Sequence, residues 1–140
     1  RLSVNSSSRF VPYQYFDLNG VKPINDRYGH DMGDEVLKIT GRRLLEQVRG
    51  NDTAARIGGD EFVLALTAVK DPAEVDQALR RVMAAIEQPI DLGAGRVVSV
   101  SAAVGTALYP RDGTTTFDLL RAADQAMYTD KGHVSAERSL

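Results

Sequence analysis

Arg56-Ile57-Gly58-Gly59-Asp60-Glu61-Phe62-Val63-Leu64-Ala65-Leu66 sets two glycines and two carboxylates between short apolar runs. Gly-Gly and Gly-Asp are turn dipeptides, so the stretch reads as a tight β-hairpin with arms over 53–57 and 61–67. The turn carries Asp60 and Glu61 to an exposed tip or just beyond it. A glycine without Cβ lets a ligand approach the backbone closely. Carboxylates beside bare backbone amides suit a metal-bound polyphosphate. Taken alone, the stretch reads more simply as a surface hairpin with solvated acids.

Upstream, Tyr15-Phe16-Asp17-Leu18-Asn19-Gly20-Val21-Lys22 runs on through Pro23-Ile24-Asn25-Asp26-Arg27-Tyr28-Gly29-His30-Asp31-Met32-Gly33-Asp34-Glu35. It reads as an apolar strand ending in an acid, a glycine turn, a lysine, and a polar loop into a helix. A carboxylate at the end of a core strand is rigidly held. Paired with a second carboxylate from the hairpin, it can hold a divalent cation. Lys22 can meet phosphate as a point charge.

The chain has 140 residues, a length that suits one domain with a real core. Apolar residues make up 43% and charged residues 26%, ordinary for a globular chain. Without cysteine there is neither a disulfide nor a thiolate zinc site, which fits a reducing compartment. No apolar run approaches a membrane span, and no signal peptide is visible. A net charge of −2 argues against a broad nucleic-acid-binding surface. An anionic ligand would therefore need local lysines, backbone amides and metal.

Residues 1–9 are polar and serine-rich and read as a frayed terminus or linker. Residues 10–18 read as a strand, with Pro12 confining its early part to an edge or a strand start. Residues 31–48 read as a helix, with Val36, Thr40, Leu44 and Val48 near one face and Leu37, Gly41 and Leu45 beside it. Asp71-Pro72-Ala73-Glu74 starts a second helix with a cap, a first-turn proline and an acid, and Pro89 stops it. Its buried stripe is Val75, Leu79, Val82 and Ile86. Residues 96–108 alternate and read as one or two strands, followed by a turn at Pro110-Arg111-Asp112-Gly113. Thr115 to Asp118 is a second capping pattern, opening a helix that buries Leu119, Leu120, Ala123 and Met127. From about Gly132 the chain reads as a loose tail. The order β-α-β-β-α-β-α, with one hairpin, predicts an α+β domain over 10–131 with an antiparallel or mixed sheet of split-βαβ type.

With these pieces in place, the chain resembles the GGDEF family of diguanylate cyclases. Gly58-Gly59-Asp60-Glu61-Phe62 is that family's name motif. Asp17-Leu18-Asn19-Gly20-Val21-Lys22-Pro23-Ile24-Asn25-Asp26, with Tyr28-Gly29-His30 and Gly33-Asp34, is similar to its first-strand segment. Ala122-Ala123-Asp124-Gln125-Ala126-Met127-Tyr128, followed by Lys131, is similar to its last helix. The resemblance covers roughly residues 10–131. It implies a nucleotidyl cyclase or polymerase-palm-like fold, a central mostly antiparallel sheet flanked by helices. The implied reaction condenses two GTP into cyclic di-GMP and releases pyrophosphate. Each domain would bind one GTP, and a homodimer would complete the site.

The resemblance assigns Asp17, the Leu18 carbonyl, Asp60 and Glu61 to Mg²⁺ (or Mn²⁺) on the triphosphate, and leaves Asp60 and Glu61 both as candidate proton acceptors. Lys22, Lys131 and backbone amides around Asn19 to Val21 would meet phosphates. Gly58 and Gly59 would lie against the substrate. Asn25 and Asp34 would read guanine, whose Watson–Crick edge offers N–H donors that a carboxylate accepts, so GTP is expected over ATP. An acceptor left unpaired there costs roughly 1–3 kcal/mol. Arg49-Gly50-Asn51-Asp52 has the RxxD form and stands where the family's product-inhibition motif sits. Arg49 and Asp52 are thereby expected to bind cyclic di-GMP, with arginine forking onto guanine O6 and N7.

Asn19 and Val21 replace an acid and an aromatic common in the family. Residues 1–9 lack the Asp-x-Leu-Thr type motif that usually precedes the first strand, and Ser135 stands where an arginine is expected. These departures keep a second reading open: a catalytically poor module that binds GTP or cyclic di-GMP as a sensor. A scaffold role would require neither the acids nor Asn25 and Asp34. An attached sensory or phosphodiesterase domain is expected in the parent protein. The expected location is the cytoplasm, or the cytoplasmic side of a larger membrane-bound protein. His30, Asp26 and Asp124 read as structural, His133 as solvated, and Arg42 and Arg43 as the exposed face of a helix.

Overall fold

A computed structural model describes the backbone of residues 10–139 and the side chains of residues 10–128. The N-terminal linker expected over 1–9 lies outside the described residues. Four strands form the central sheet: β1 (Val11–Asn19), β2 (Thr53–Arg56), β3 (Glu61–Ala65) and β6 (Ser101–Tyr109). Their spatial order is β2-β3-β1-β6, and every neighbouring pair is antiparallel. A small second sheet pairs β4 (Ile90–Asp91) with β5 (Val97–Val98). The helices are α1 (Val21–Tyr28), α2 (His30–Gln47), α3 (Pro72–Glu87) and α4 (Thr116–Ser139).

Strand alternation divides β1 between two faces. Phe16 and Leu18 enter the main core with Phe62 and Leu64, and α1, α2 and α3 cover them through Ile24, Val36, Leu44, Ala78, Val82 and Ile86. The opposite face carries Tyr13 and Tyr15, which pack with Ala107, Leu119 and Ala123 under α4. Gly105 permits this second layer. A Cβ there would run into the Ala123 carbonyl and the Met127 amide, so α4 rests backbone to backbone on β6. Asp17 lies two residues beyond Tyr15, and the alternation puts it on the same side.

Several local expectations need correction. The polar loop expected after Gly20 is the helix α1, and Gly29 alone separates it from α2. Gly20 at φ 104 turns the chain from strand to helix, and Gly29 at φ 98 breaks one helix from the next. Pro23 does not oppose α1 because it falls in the first turn, where its missing N–H has no intrahelical acceptor. Pro12 stands near the start of β1, as expected, but that strand is central. The 96–108 stretch supplies two strands in different sheets, and its partner β4 was not legible beforehand. Leu45 is 58% exposed. Helix α4 continues to Ser139, through the stretch read as a tail.

Both expected caps form. The Asp71 carboxylate accepts from the Glu74 amide at 3.0 Å, and Thr115 Oγ1 accepts from the Asp118 amide at 3.1 Å. Arg43 is more than a solvated face residue. Its guanidinium donates to the carbonyls of Gln88 at 2.7 Å and Pro89 at 2.8 Å, tying α2 to the carbonyl-rich end of α3.

Candidate active site

The antiparallel register sets Asp17 directly opposite Glu61. One step further, the Leu18 amide donates to the Asp60 carbonyl at 2.9 Å. A strand residue directs its N–H and C=O to the same side, so the Leu18 carbonyl faces the hairpin as well. The sheet thus brings Asp17, the Leu18 backbone, Asp60 and Glu61 to one place from two distant segments. Asp17, Asp60 and Glu61 are each half-buried.

The turn that presents the acids spans residues 57–60 and is closed by the Ile57 amide donating to the Glu61 carbonyl at 3.0 Å. Arg56 Nε braces it by donating to the carbonyls of Gly58 at 3.1 Å and Gly59 at 3.0 Å. Neither Gly58 nor Gly59 adopts a positive φ, so this is not the mirror-image turn that Gly-Gly favours. Gly58 serves proximity instead: a Cβ there would lie 2.7 Å from Glu61 Oε1. Gly59 is exposed, with nothing within 4 Å of the position a Cβ would take.

Glu61 Oε1 also accepts a hydrogen bond from the Tyr15 hydroxyl at 3.0 Å. Burial, then that bond, then the charges of Glu61, Asp124 and Asp17 push the Tyr15 hydroxyl up to about 12. It therefore stays a donor at neutral pH. Tyr15 was not singled out from the sequence, although its place two residues before Asp17 carried the signal.

Beyond Asp17 the chain turns at Gly20 into α1. No side chain caps this helix, so its first amides point outward as donors. Lys22 lies in that first turn, paired with Asp26 at 3.0 Å across exposed side chains. A surface pair of this kind contributes only about 0–1 kcal/mol, so the lysine is readily drawn to a stronger anion. A cation there also adds to the positive end of the helix dipole.

Asn25 projects from α1 against the backbone of α2. A Cβ on Gly33 would collide with Asn25 Oδ1, and that oxygen is buried without a partner among the described residues. Asp34, the next residue, is exposed. The two expected base-reading residues are therefore adjacent, with an orphan acceptor between the helices.

The RxxD segment lies apart from this cluster. Its Arg49 amide donates to Asp52 Oδ2 at 3.1 Å, and Asp52 Oδ1 accepts from the amides of Thr67 at 2.6 Å and Ala68 at 3.0 Å and from the Thr67 hydroxyl at 3.1 Å. Asp52 therefore braces the turn before β2 against the loop after β3. Beside it, Arg49, Glu74, Gln77 and Arg81 border a cavity of about 190 Å³. Arg81 was not anticipated; it is held in place by the Gln47 side chain at 3.1 Å.

The oxygen donors Asp17, Leu18, Asp60 and Glu61 are of the kind hard divalent cations take. Among the described residues no group of three or more His, Cys, Asp or Glu forms a metal cage. Mg²⁺ commonly uses one or two carboxylates plus substrate phosphates, so the donor set suits it without a cage. The side chain of Lys131 lies outside the described residues. No described helix is long and apolar enough to cross a membrane.

The profile of the family described as "Diguanylate cyclase, GGDEF domain" matches residues 6–136. The chain is 43% identical over 117 residues to the bifunctional diguanylate cyclase/cyclic di-GMP phosphodiesterase MucR of Pseudomonas aeruginosa, covering 84% of this chain and 17% of that protein. It is 39% identical over 126 residues to the diguanylate cyclase TpbB of Pseudomonas aeruginosa, covering 90% and 29%. The crystal structure of the GGDEF domain of TpbB superposes with a TM-score of 0.84 at 36% identity, over 94% of this chain and 82% of that one. The cyclic di-GMP phosphodiesterase NbdA of the same organism is 38% identical over 117 residues, covering 84% and 15%. The chain thus spans less than a third of the length of these relatives.

Proposed function

Because the chain belongs to the GGDEF family of diguanylate cyclase domains, we propose that it condenses two GTP into cyclic di-GMP with release of pyrophosphate. The observation that carries this is the convergence of Asp17, Asp60 and Glu61 beside the uncapped start of α1. The α1 amides and Lys22 would take the phosphates, with Lys131 joining them. Asn25 and Asp34 would read guanine, and the unpartnered Asn25 Oδ1 supports that role. Asp17, Asp60, Glu61 and the Leu18 carbonyl would hold Mg²⁺ or Mn²⁺, which neutralises triphosphate charge and lowers the pKa of the attacking 3′-hydroxyl. Asp60 or Glu61 would accept the proton of that hydroxyl.

Each domain holds one half of the reaction, so two copies must face each other. Cyclic di-GMP would bind at the cavity bordered by Arg49 and Arg81 and restrain the enzyme. The cytoplasm, which supplies GTP, is the proposed location, and further domains of the parent protein would control pairing. Pyrophosphate release followed over a dilution series tests the reading. The rate per chain should rise with protein concentration through the range where monomers pair, whereas turnover at a constant rate per chain by protein that sediments as monomer would exclude the paired half-site mechanism.

A second reading has one observation in its favour: a relative named only as a phosphodiesterase shares this segment at 38% identity. In that reading the domain binds GTP or cyclic di-GMP without turning it over.

A further inference from the structure

We infer that Tyr15 is a positioning residue, whose hydroxyl holds the Glu61 carboxylate in the place from which it serves the metal-phosphate site. The inference rests on the cyclase reading of that site and adds a residue to it.

Glu61 stands at the mouth of an exposed hairpin on a side chain with three rotatable bonds, and the strand register alone leaves its carboxylate free to swing. Two contacts remove that freedom. Tyr15 Oη donates to Oε1 at 3.0 Å, and the missing Cβ of Gly58 lets the same oxygen settle against the turn. Among the described residues the other oxygen, Oε2, accepts no hydrogen bond, so it is left for a cation or a proton.

Tyr15 is in turn held from two sides. Gly105 lies opposite it across the β1–β6 ladder. Ala107, Leu119 and Ala123 pack around it beneath α4. An aromatic ring beside a cross-strand glycine, pinned by a helix, is a stiff lever compared with an aliphatic residue at the same place.

Groups that orient a metal-binding side chain without touching the metal typically contribute about 10–100-fold in metal affinity or activity. Tyr15→Phe keeps the ring in its cluster and removes only the donor. The test compares it with the parent, both fused to a dimerising coil. Mn²⁺ is titrated into both in the presence of a GTP analogue with a methylene bridge between its α and β phosphates, which blocks turnover and leaves every proposed metal ligand in place, and the Mg²⁺ midpoint of cyclic di-GMP formation is read with GTP. Tyr15→Phe should weaken Mn²⁺ binding and raise the Mg²⁺ midpoint by about 10-fold, with the KM for GTP changed far less than kcat. A purely packing role would leave all of these values at the parent's. Equal Mn²⁺ affinity in the two proteins overturns the inference. A parent that makes no product counts against the cyclase reading alone, because the Mn²⁺ comparison still decides the role of Tyr15.

Discussion

Asp17 and Glu61 face each other across the β1–β3 ladder, on the side of the sheet that α4 covers. A cation between them would join both carboxylates, so the pairing matters most in the bound protein. Asp17→Asn is expected to abolish the added stability that Mg²⁺ and GTP confer on the parent in urea unfolding. An undiminished gain from Mg²⁺ and GTP in the variant would contradict a metal role for Asp17.

Arg49 and Asp52 share one motif but differ in what they touch. Asp52 accepts three backbone amides and a hydroxyl, whereas Arg49 is exposed at the cavity rim. Asp52→Ala should destabilise the domain by about 1–3 kcal/mol. Arg49→Ala should stay within about 0.5 kcal/mol of the parent. Both should weaken cyclic di-GMP binding in calorimetric titration. Unchanged affinity in Arg49→Ala would remove the product site.

Asp112 supplies a pH dependence. Its carboxylate is held below the ordinary range mainly by the hydrogen bond from Arg111, with the Leu108 amide helping against burial. Arg111 Nη2 lies 2.7 Å from it, and Leu108 also donates at 2.7 Å. A carboxyl whose folded pKa lies below its unfolded value of about 3.9 contributes stability above that value, lost as pH falls through the folded pKa. The parent should therefore lose more stability than Asp112→Asn between about pH 5 and the acid limit. Parallel stability profiles for the two proteins would contradict this.

The parts legible in the sequence are those with strong local signals. The hairpin, the capped helices α3 and α4, and the acids at 17, 60 and 61 carry turn chemistry, caps or clustered charge. Helix α1 was hidden because Pro23 and a polar run resemble a loop, and only the φ of Gly20 shows how the chain turns. Strands β4 and β5 are two residues each, too short for any periodicity. Asp17 and Glu61 were readable as residues, but their pairing depends on the β1–β3 register, a long-range fact. The roles of Tyr15, Arg43 and Arg81 depend wholly on tertiary neighbours, since a tyrosine in a strand or an arginine on a helix looks ordinary in one dimension.

Turnover of GTP at the hairpin acids is read by incubating the coil-fused dimer with GTP and Mg²⁺ and identifying products by chromatography and mass spectrometry, beside an Asp60→Ala control. Cyclic di-GMP and pyrophosphate should come from the parent and neither from the control. No cyclic di-GMP from the enforced dimer, with GTP still bound, would contradict the cyclase and leave a nucleotide-binding module in its place.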